Sequence, residues 1–329
     1  MIRVAINGFG RIGRSFTRAI QQHPNIELIA INDLADANTL AHLLKYDSVH
    51  GGFKGTVSSN NNELFINGKT VIICNEKESH NLPWNELDID IVIESTGRFL
   101  TKELAQGHID AGAKKVILSA PPKSDDIKTV VLGINDEVIT GEEQIISNAS
   151  CTTNAAAPII KVLHDFYHIE SAYITTVHSY TSDQPLHDSP HKDLRRARAG
   201  ALSIIPTTTG AAKAITKIFP DLDGKIGGCG VRVPVPNGSL IDISVILKED
   251  TDVKAINNAF KEASQTYLKG ILEYTEDPIV SIDIVGNPHS CIFDADLTSI
   301  TGHMVKIMGW YDNEMGYSNR LADLVIKLS

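Results

Sequence analysis

A glycine pattern lies near the start of this chain, immediately after the apolar run RVAIN. An amphipathic segment follows the pattern directly, and the pattern itself reads Gly8, Phe9, Gly10, Arg11, Ile12 and Gly13. Between a strand and a helix, such glycines allow a tight turn, a close approach of the backbone to a pyrophosphate, and close packing of the helix on the strand. The N-terminus of the helix then receives the negative charge. The pattern predicts a dinucleotide site, although a plain tight turn would use the same glycines.

A single acidic residue indicates which dinucleotide would bind. Asp33 ends the next apolar run, ELIAIND, and a carboxylate there can accept hydrogen bonds from both hydroxyls of an adenosine ribose. Because its charge repels a 2′-phosphate, NAD is predicted rather than NADP. Thr96, Gly97 and Ser119 follow later apolar runs and are expected at the same edge of the sheet, although each is also a common turn residue.

The first 150 residues alternate short apolar runs with segments of helical period. Runs such as RVAIN, ELIAIND, IVIEST, KKVILSA and TVVLGIN are apolar at nearly every position, which is typical of parallel strands buried on both faces. We therefore predict an α/β fold of the Rossmann type, with a doubly wound parallel sheet in a domain spanning residues 1–150. A helix at about 316–329 is expected to complete this domain.

The second half of the chain follows a different pattern. Residues 151–315 contain longer runs with stretches of period two: SAYITTVHSY, SLIDISVIL, IVSIDIVG, SCIFDADL and MVKIMGWYD. These runs predict an α+β catalytic domain with a mixed or antiparallel sheet. The polar and basic stretch between the first two of these runs is long for a loop, and such loops are usually functional or disordered.

Composition excludes several classes of protein. The 329 residues suffice for about two domains, and 42% of them are hydrophobic, as in a globular protein. The 30 Lys and Arg against 40 Asp and Glu give a net charge of −10, so no nucleic-acid partner is expected. We expect no signal peptide and no membrane span, because every long apolar stretch is interrupted well before about 20 residues. Four separated cysteines without a CxxC spacing indicate no metal site and reduced thiols in the cytoplasm.

Cys151 is the candidate nucleophile. It lies in SNASCTTN, directly before the alanine-rich segment AAAPIIKVLHDFY, which is predicted to be a helix. A thiol at a helix N-terminus is expected to have a lowered pKa. A buried structural cysteine is the alternative, but the polar neighbours and the position at the domain junction favour a reactive thiol. His178, at the end of the run ITTVHSY, is a candidate base, although composition alone cannot select it among 12 histidines.

Together, several segments resemble the phosphorylating glyceraldehyde-3-phosphate dehydrogenases from end to end. These segments are NGFGRIGR, INDLAD, SNASCTTN, TTVHSYTSDQ, HKDLRRARAGALSIIPTTTGAAKA, VRVPVPN and WYDNEMGYSNR. The resemblance implies NAD-dependent oxidation of glyceraldehyde 3-phosphate to 1,3-bisphosphoglycerate, with inorganic phosphate as co-substrate. It also implies a homotetramer, in which the polar loop after His178 reaches the cofactor of a neighbouring subunit.

The resemblance further implies roles for individual residues. Cys151 would attack the aldehyde to give a thiohemiacetal and then a thioester, His178 would form an ion pair with it and act as base, and Asn313 would orient the nicotinamide carboxamide. The substrate phosphate would bind at Thr181, Asp183 and Arg232. The attacking phosphate would bind at Ser150, Thr152, Thr209, Gly210 and Arg196. Without the resemblance, the basic DLRRAR cluster would read as a solvated stretch.

Two other functions remain open at this stage. Erythrose-4-phosphate dehydrogenases are similar over their length and keep the cysteine and the histidine, but SYTSDQ and TTTGAAK favour the three-carbon substrate. An NAD-binding protein with a non-catalytic role is the second alternative, and the intact set of Cys151, His178 and Arg232 argues against it. Ser189 before Pro190 departs from the common pattern of a loop that helps to select between NAD and NADP, which puts strict selectivity in doubt.

Overall fold

The computed structural model describes residues 1–329, which divide into two compact units. Unit 1 comprises Met1–Leu132, Asp136–Ala149 and Ser318–Ser329, and unit 2 comprises Gly133–Asn135 and Ser150–Tyr317. No helix in the chain is both long enough and apolar enough to cross a membrane.

Unit 1 alternates strands and helices from its first residues. Its elements are β1 (Ile2–Asn7), α1 (Arg11–Ala19), β2 (Ile26–Asn32), α2 (Ala37–Lys45), β3 (Val57–Asn60), β4 (Glu63–Ile66), β5 (Lys69–Cys74), β6 (Ile91–Glu94), α3 (Lys102–Asp110), β7 (Lys115–Leu118), β8 (Lys128–Thr129) and β9 (Ile145–Ser147). The last helix of the chain, α7 (Met315–Lys327), belongs to unit 1 from Ser318 onward. Short 3-10 turns occur at Ile20–Gln22, Ser79–Asn81 and Asp136–Val138.

These nine strands form one sheet in the order β3-β4-β5-β2-β1-β6-β7-β9-β8. All pairs from β5 to β8 in this order are parallel, and only β3 and β4 run antiparallel to their neighbours. Adjacent residues of a strand point to opposite faces, yet Ala5 and Ile6 of β1 are both fully buried, as are Val92 and Ile93 of β6. Both faces of the central sheet are therefore covered, which confirms the predicted Rossmann-type fold.

The central strands of unit 1 end in register. Asn7 of β1 lies opposite Asn32 of β2 on one side and Glu94 of β6 on the other. Because parallel strands present their carboxyl ends at one edge, the turns that begin at Gly8, Asp33 and Ser95 meet there.

Unit 2 is built around a mixed sheet with long strands. Its elements are α4 (Cys151–Tyr167), β10 (Ile169–Ser179), β11 (Ile205–Thr207), α5 (Ala211–Ile218), β12 (Ile226–Val233), β13 (Ser239–Leu247), α6 (Val253–Gln265), β14 (Leu272–Thr275), β15 (Cys291–Asp294), β16 (Ser299–Thr301) and β17 (Met304–Tyr311). Short 3-10 turns lie at Pro220–Leu222 and Ala295–Leu297.

The strands of unit 2 lie in the order β11-β12-β10-β13-β17-β15-β14, and β16 also pairs with β17. The β10–β12 and β14–β15 pairs are parallel, whereas the other pairs are antiparallel. Helix α4 packs on this sheet, because it contacts β10, β13, β15 and β17. The prediction of a mixed sheet in the second half of the chain is confirmed.

Two predicted strands are wrong. In the run TVVLGIN only Thr129 belongs to a strand, and the following Val130 and Val131 are buried in a turn region, so burial rather than sheet pairing explains their apolar character. The run IVSIDIVG forms consecutive turns, with Ile282 exposed. There the Asp283 carboxylate accepts the backbone N–H of Val280 at 2.8 Å, a local hydrogen bond that competes with strand pairing.

Candidate cofactor pocket and thiol site

The glycines of the first turn are required by close approaches of the backbone. Gly8 has a φ of +93°, and a Cβ there would lie 2.8 Å from the backbone nitrogen of Thr96. A Cβ on Gly13 would lie 2.5 Å from the carbonyl oxygen of Gly8, which shows how tightly α1 packs on the turn. By contrast, Gly10 borders open space, which is the place where a ligand can approach the backbone. This arrangement fits a dinucleotide.

The start of α1 is suited to an anion. Gly10 is its N-cap and, having no side chain, supplies no acceptor to the N–H groups of the first turn. The Arg11 guanidinium pairs with the Asp47 carboxylate at 2.6 Å. Burial alone would raise the pKa of Asp47, but the N–H of His50 and the Arg11 guanidinium lower it to about 2. Arg11 is thus held against a loop of unit 1 by a charged partner.

Asp33 directly follows β2, and its carboxylate shapes the turn there. One of its oxygens accepts the N–H of Phe9 at 2.8 Å, and the other accepts the N–H of Ala35 at 3.0 Å. Each carboxylate oxygen can accept a further bond. Asp33 borders a cavity of about 320 Å³, which is lined by Asn7, Gly8, Gly10, Asn32, Asp33, Leu34, Glu76, Lys77, Ser95, Thr96, Arg98 and Phe99.

The sequence patterns did not predict several of these lining residues. Leu34, Lys77, Arg98 and Phe99 all follow the carboxyl ends of β2, β5 and β6, and that position was the available signal. Of the residues that were predicted, Thr96 lines the cavity and Gly97 adopts a φ of +71° beside it. Ser119 follows β7, where its N–H donates to the carbonyl of Glu94 at 2.9 Å.

Cys151 is the first residue of α4, as predicted. The preceding residue, Ser150, is extended, and its hydroxyl accepts the N–H of Thr153 at 3.1 Å, which caps the helix. The Thr152 hydroxyl lies 3.2 Å from the hydroxyl of Tyr311. The Cys151 thiol is thereby placed where the free N–H groups of a helix terminus are concentrated.

The structure brings the Cys151 thiol to His178. Cys151 Sγ and His178 Nε2 are 3.5 Å apart, which is hydrogen-bond distance for sulfur. His178 lies opposite Arg232 in the β10–β12 pair, and Arg232 Nη1 is 2.7 Å from His178 Nδ1. The same Nη1 donates to the carbonyl of Ser179 at 2.8 Å. A thiol, an imidazole and a guanidinium therefore form one contiguous group.

The electrostatics of this group differ from the prediction made for Cys151. Burial raises the pKa of the Cys151 thiol, although the Arg232 charge and the hydrogen bonds of Thr152 act in the opposite direction. Burial, together with the Arg232 charge, lowers the pKa of His178 to about 3. The predicted lowering of the thiol pKa is wrong for the chain alone, because desolvation exceeds the effect of the helix terminus. The implied ion pair with His178 stays a prediction.

The polar loop after β10 organises two further charged groups. Arg196 donates through Nη1 to Asp183 and through Nε to the Thr207 hydroxyl, both at 2.9 Å. Burial would raise the pKa of Asp183, but the Thr181 hydroxyl and the charges of Arg232 and Arg196 hold it below its usual value. Within DLRRAR, Arg196 is thus anchored rather than solvated.

The remaining predicted residues of unit 2 lie at a helix start and at the end of β17. Gly210 is the N-cap of α5, and the Thr209 hydroxyl accepts the N–H of Ala211 at 3.2 Å. Asn313 is buried, and its Oδ1 accepts hydrogen bonds from the hydroxyls of Ser179 and Ser239, each at 2.8 Å. Its amide NH₂ is left to donate elsewhere. Sequence reasoning missed both serines, because nothing in their local pattern shows that the sheet brings them to Asn313.

Comparison with known proteins agrees with this geometry. Residues 2–102 match the family described as "Glyceraldehyde 3-phosphate dehydrogenase, NAD binding domain", and residues 150–313 match "Glyceraldehyde 3-phosphate dehydrogenase, C-terminal domain". The chain is 55% identical to a glyceraldehyde-3-phosphate dehydrogenase of Geobacillus stearothermophilus, with 98% of this chain and 97% of the relative covered.

Two further relatives are similar over the same extent. Glyceraldehyde-3-phosphate dehydrogenase 2 of Bacillus subtilis (strain 168) is 52% identical over 98% of this chain and 96% of its own. Glyceraldehyde-3-phosphate dehydrogenase of Mycobacterium avium is 53% identical over 98% of this chain and 97% of its own. With both family regions matched and identity above half over nearly the full length, this chain belongs to the glyceraldehyde-3-phosphate dehydrogenase family.

Proposed function

We propose that this protein is an NAD-dependent dehydrogenase that converts D-glyceraldehyde 3-phosphate and inorganic phosphate to 1,3-bisphosphoglycerate. The observation that carries the proposal is the contact between Cys151 Sγ at the start of α4 and His178 Nε2, 3.5 Å apart, with the Arg232 guanidinium beside them. A nucleophilic thiol, a base and a cationic anchor for a phosphate are the groups that this reaction requires. Family membership supports the same reaction.

Cys151 and His178 share the covalent chemistry. As the Cys151 sulfur forms a bond to the aldehyde carbon, the thiol proton passes to His178, which gives it to the carbonyl oxygen; the product is a thiohemiacetal beside a neutral imidazole. His178 then takes the hydroxyl proton as a hydride leaves the carbon, which oxidises it to a thioester. Attack by phosphate breaks the carbon–sulfur bond, releases the acyl phosphate and returns the thiolate.

Residues of unit 1 would hold the NAD. The open approach at Gly10 and the start of α1, whose N-cap has no side chain, suit its pyrophosphate, and Asp33 suits its adenosine ribose. When bound, NAD supplies the acceptor for the hydride. In unit 2, the NH₂ of Asn313 is the group available to orient the carboxamide, since its oxygen is occupied by two serine hydroxyls.

Two anion sites are proposed around the thiol. Arg232 and Thr181 would bind the phosphate of the substrate, because a guanidinium and a hydroxyl are good donors to a dianion. The Asp183 carboxylate, which faces both, would position them. The attacking phosphate would use Arg196 together with hydroxyl and backbone donors: Ser150, Thr152, Thr209 and Gly210. The fixed geometry of Arg196 against Asp183 and Thr207 supports this assignment, since an anchored guanidinium needs little further ordering.

We also propose that the protein is a cytoplasmic homotetramer. Four large apolar side chains of the loop after β10 are 71–82% exposed, a feature that a second copy of the chain would cover: Leu186, Leu194, Leu202 and Ile204. All four cysteines are free, which fits a reducing compartment. Sedimentation equilibrium of the purified protein tests the assembly, and a monomer at micromolar concentration would contradict it.

The activity is tested by NADH formation from NAD and glyceraldehyde 3-phosphate, with and without inorganic phosphate. We expect turnover that needs phosphate and that is lost, by about 10⁴-fold or more, in Cys151→Ser. Cys229→Ser is the matched control, because this half-buried thiol contacts Thr175 and not the site. It should retain activity within about twofold.

The same assay separates the alternatives. Preference for erythrose 4-phosphate over the three-carbon aldehyde would assign the chain to the four-carbon enzymes. Full activity in Cys151→Ser would contradict the proposed mechanism. Binding of NAD without turnover of either aldehyde would support a non-catalytic role.

A further inference from the structure

A buried polar network in unit 1 has no part in the proposed chemistry. It joins the ends of β2, β1 and β6 through the side chains of Asn32, Asn7 and Glu94, each of which is at most 5% exposed. Behind it lie His108 of α3 and Trp84, both fully buried. Burial of polar groups costs free energy unless they are hydrogen-bonded, so a network of this size suggests a role in the protein.

The hydrogen bonds on one side of this network have a fixed direction. The backbone N–H of Glu76 can only donate, and it donates to Asn32 Oδ1 at 2.9 Å. The NH₂ of Asn32 therefore donates to Asn7 Oδ1 at 2.7 Å, and the NH₂ of Asn7 donates to Glu94 Oε2 at 2.6 Å. A backbone group thus determines the orientation of both amides.

The other side is directed by an indole. Trp84 Nε1–H is a donor only, and it donates to His108 Nδ1 at 3.0 Å. Nδ1 is thereby an acceptor, so the ring proton lies on Nε2, which faces Glu94 Oε2 at 3.2 Å. His108 is accordingly a neutral donor to Glu94 and not its counter-ion.

All of these bonds converge on one carboxylate. Glu94 accepts from Asn7, from His108, and from both the backbone N–H and the hydroxyl of Thr96. Three of these groups can only donate: the Asn7 amide NH₂, the His108 Nε2–H and the Thr96 backbone N–H. Only the Thr96 hydroxyl could accept from a protonated Glu94, so the donors that face both oxygens favour the charged carboxylate.

The bonds to Thr96 connect the network to the cavity wall. The Thr96 hydroxyl donates to Glu94 and accepts the N–H of Arg98 at 3.1 Å. Ser95 Oγ donates to the carbonyl of Gly8 at 2.7 Å. The turn from Ser95 to Arg98 is thus fixed against the glycine turn, and both turns line the cavity that also contains Asp33.

We propose that Glu94 is a positioning residue of the cofactor site, whose buried carboxylate holds the Ser95–Arg98 turn in the geometry that accepts the adenosine half of NAD. The proposal rests on the assignment of this cavity to NAD in the proposed function. This role gives a reason for the burial of a carboxylate behind the turn, where Glu94 is only 1% exposed. A preformed wall saves the ordering that binding would otherwise require.

The test compares Glu94→Gln with Asp294→Asn by titration calorimetry with NAD and with ADP-ribose, which lacks nicotinamide. The new amide NH₂ of Glu94→Gln must face either the Asn7 and His108 donors or the backbone N–H of Thr96, so the network and the turn that it holds must shift. We expect the dissociation constants of both ligands to rise by a similar factor, about tenfold. The kcat at saturating NAD should stay within about twofold.

Asp294 is a matched control because it is a buried carboxylate, 3% exposed, that accepts the Trp310 indole N–H at 2.9 Å within unit 2. Asp294→Asn should lower the melting temperature without changing either dissociation constant. If Glu94→Gln behaves in the same way as Asp294→Asn, the role of Glu94 is merely structural and the proposal is overturned.

A second variant keeps the test decisive if Glu94→Gln does not fold. Trp84→Phe removes the indole N–H that orients His108, together with part of the buried ring, at a position away from the cavity lining. It should raise both dissociation constants by about two- to threefold, and unchanged constants would overturn the proposal. Failure of the wild-type protein to bind NAD or ADP-ribose would instead contradict the proposed function.

Discussion

The protonation state of His178 gives a prediction with a definite sign. Its pKa is lowered to about 3 by burial and by the Arg232 charge, whereas an unfolded histidine titrates near 6.5. Between these two values the unfolded chain binds a proton that the folded chain does not. Stability is therefore lost as the pH falls from about 6.5 towards 3.

The size of the effect follows from these two pKa values. Protonation of His178 stabilises the unfolded state by about 2 kcal/mol at pH 5 and by only about 0.2 kcal/mol at pH 7. Replacement of His178 by Asn removes this contribution. On going from pH 7 to pH 5, the wild-type protein should thus lose about 2 kcal/mol more stability than His178→Asn.

Urea unfolding at the two pH values, at one protein concentration, measures this difference. His303→Asn is the control, since this side chain is exposed and its removal should leave the pH dependence of the wild-type protein unchanged. If the folded imidazole kept an ordinary pKa near 6.5, acidification would not favour the unfolded histidine. The wild-type protein would then lose no more stability on acidification than His178→Asn, and that result would refute the lowered pKa inferred from burial.

Two further substitutions test the cofactor pocket and the helix that carries the thiol. Asp33→Ala should weaken discrimination against NADP and also raise the dissociation constant of NAD, because the N–H groups of Phe9 and Ala35 lose their acceptor. Asp36→Ala removes only the cap of α2, so it should lower the melting temperature slightly and leave both constants unchanged in calorimetric titrations. Ser150→Ala removes the cap of α4, so thermal unfolding should show a loss of about 1 kcal/mol. Steady-state kinetics of this variant should show a higher KM for phosphate, and an unchanged KM would remove Ser150 from the proposed anion site.

The local elements of the site could be predicted from the sequence. The glycine turn, Asp33 at the end of β2, and Cys151 at the start of α4 each follow from a short pattern, because turns, strand ends and helix caps are decided by neighbouring residues. The same local reasoning failed for TVVLGIN and IVSIDIVG. An apolar run shows that residues are buried or β-prone, but it does not show whether another strand is available to pair with them.

The tertiary structure decided which side chains meet and what charge they carry. Strand register placed Arg232 opposite His178, which lies 54 positions away in the sequence, and burial of the Cys151 thiol raised its pKa. Likewise, nothing in the segment IVIEST except the charge of Glu94 indicated a role for this residue. The positions of the reactive groups along the chain could be read from the sequence. Their partners, burial and protonation depended on contacts between distant segments, because desolvation and hydrogen bonding are properties of the packed environment and not of the residue.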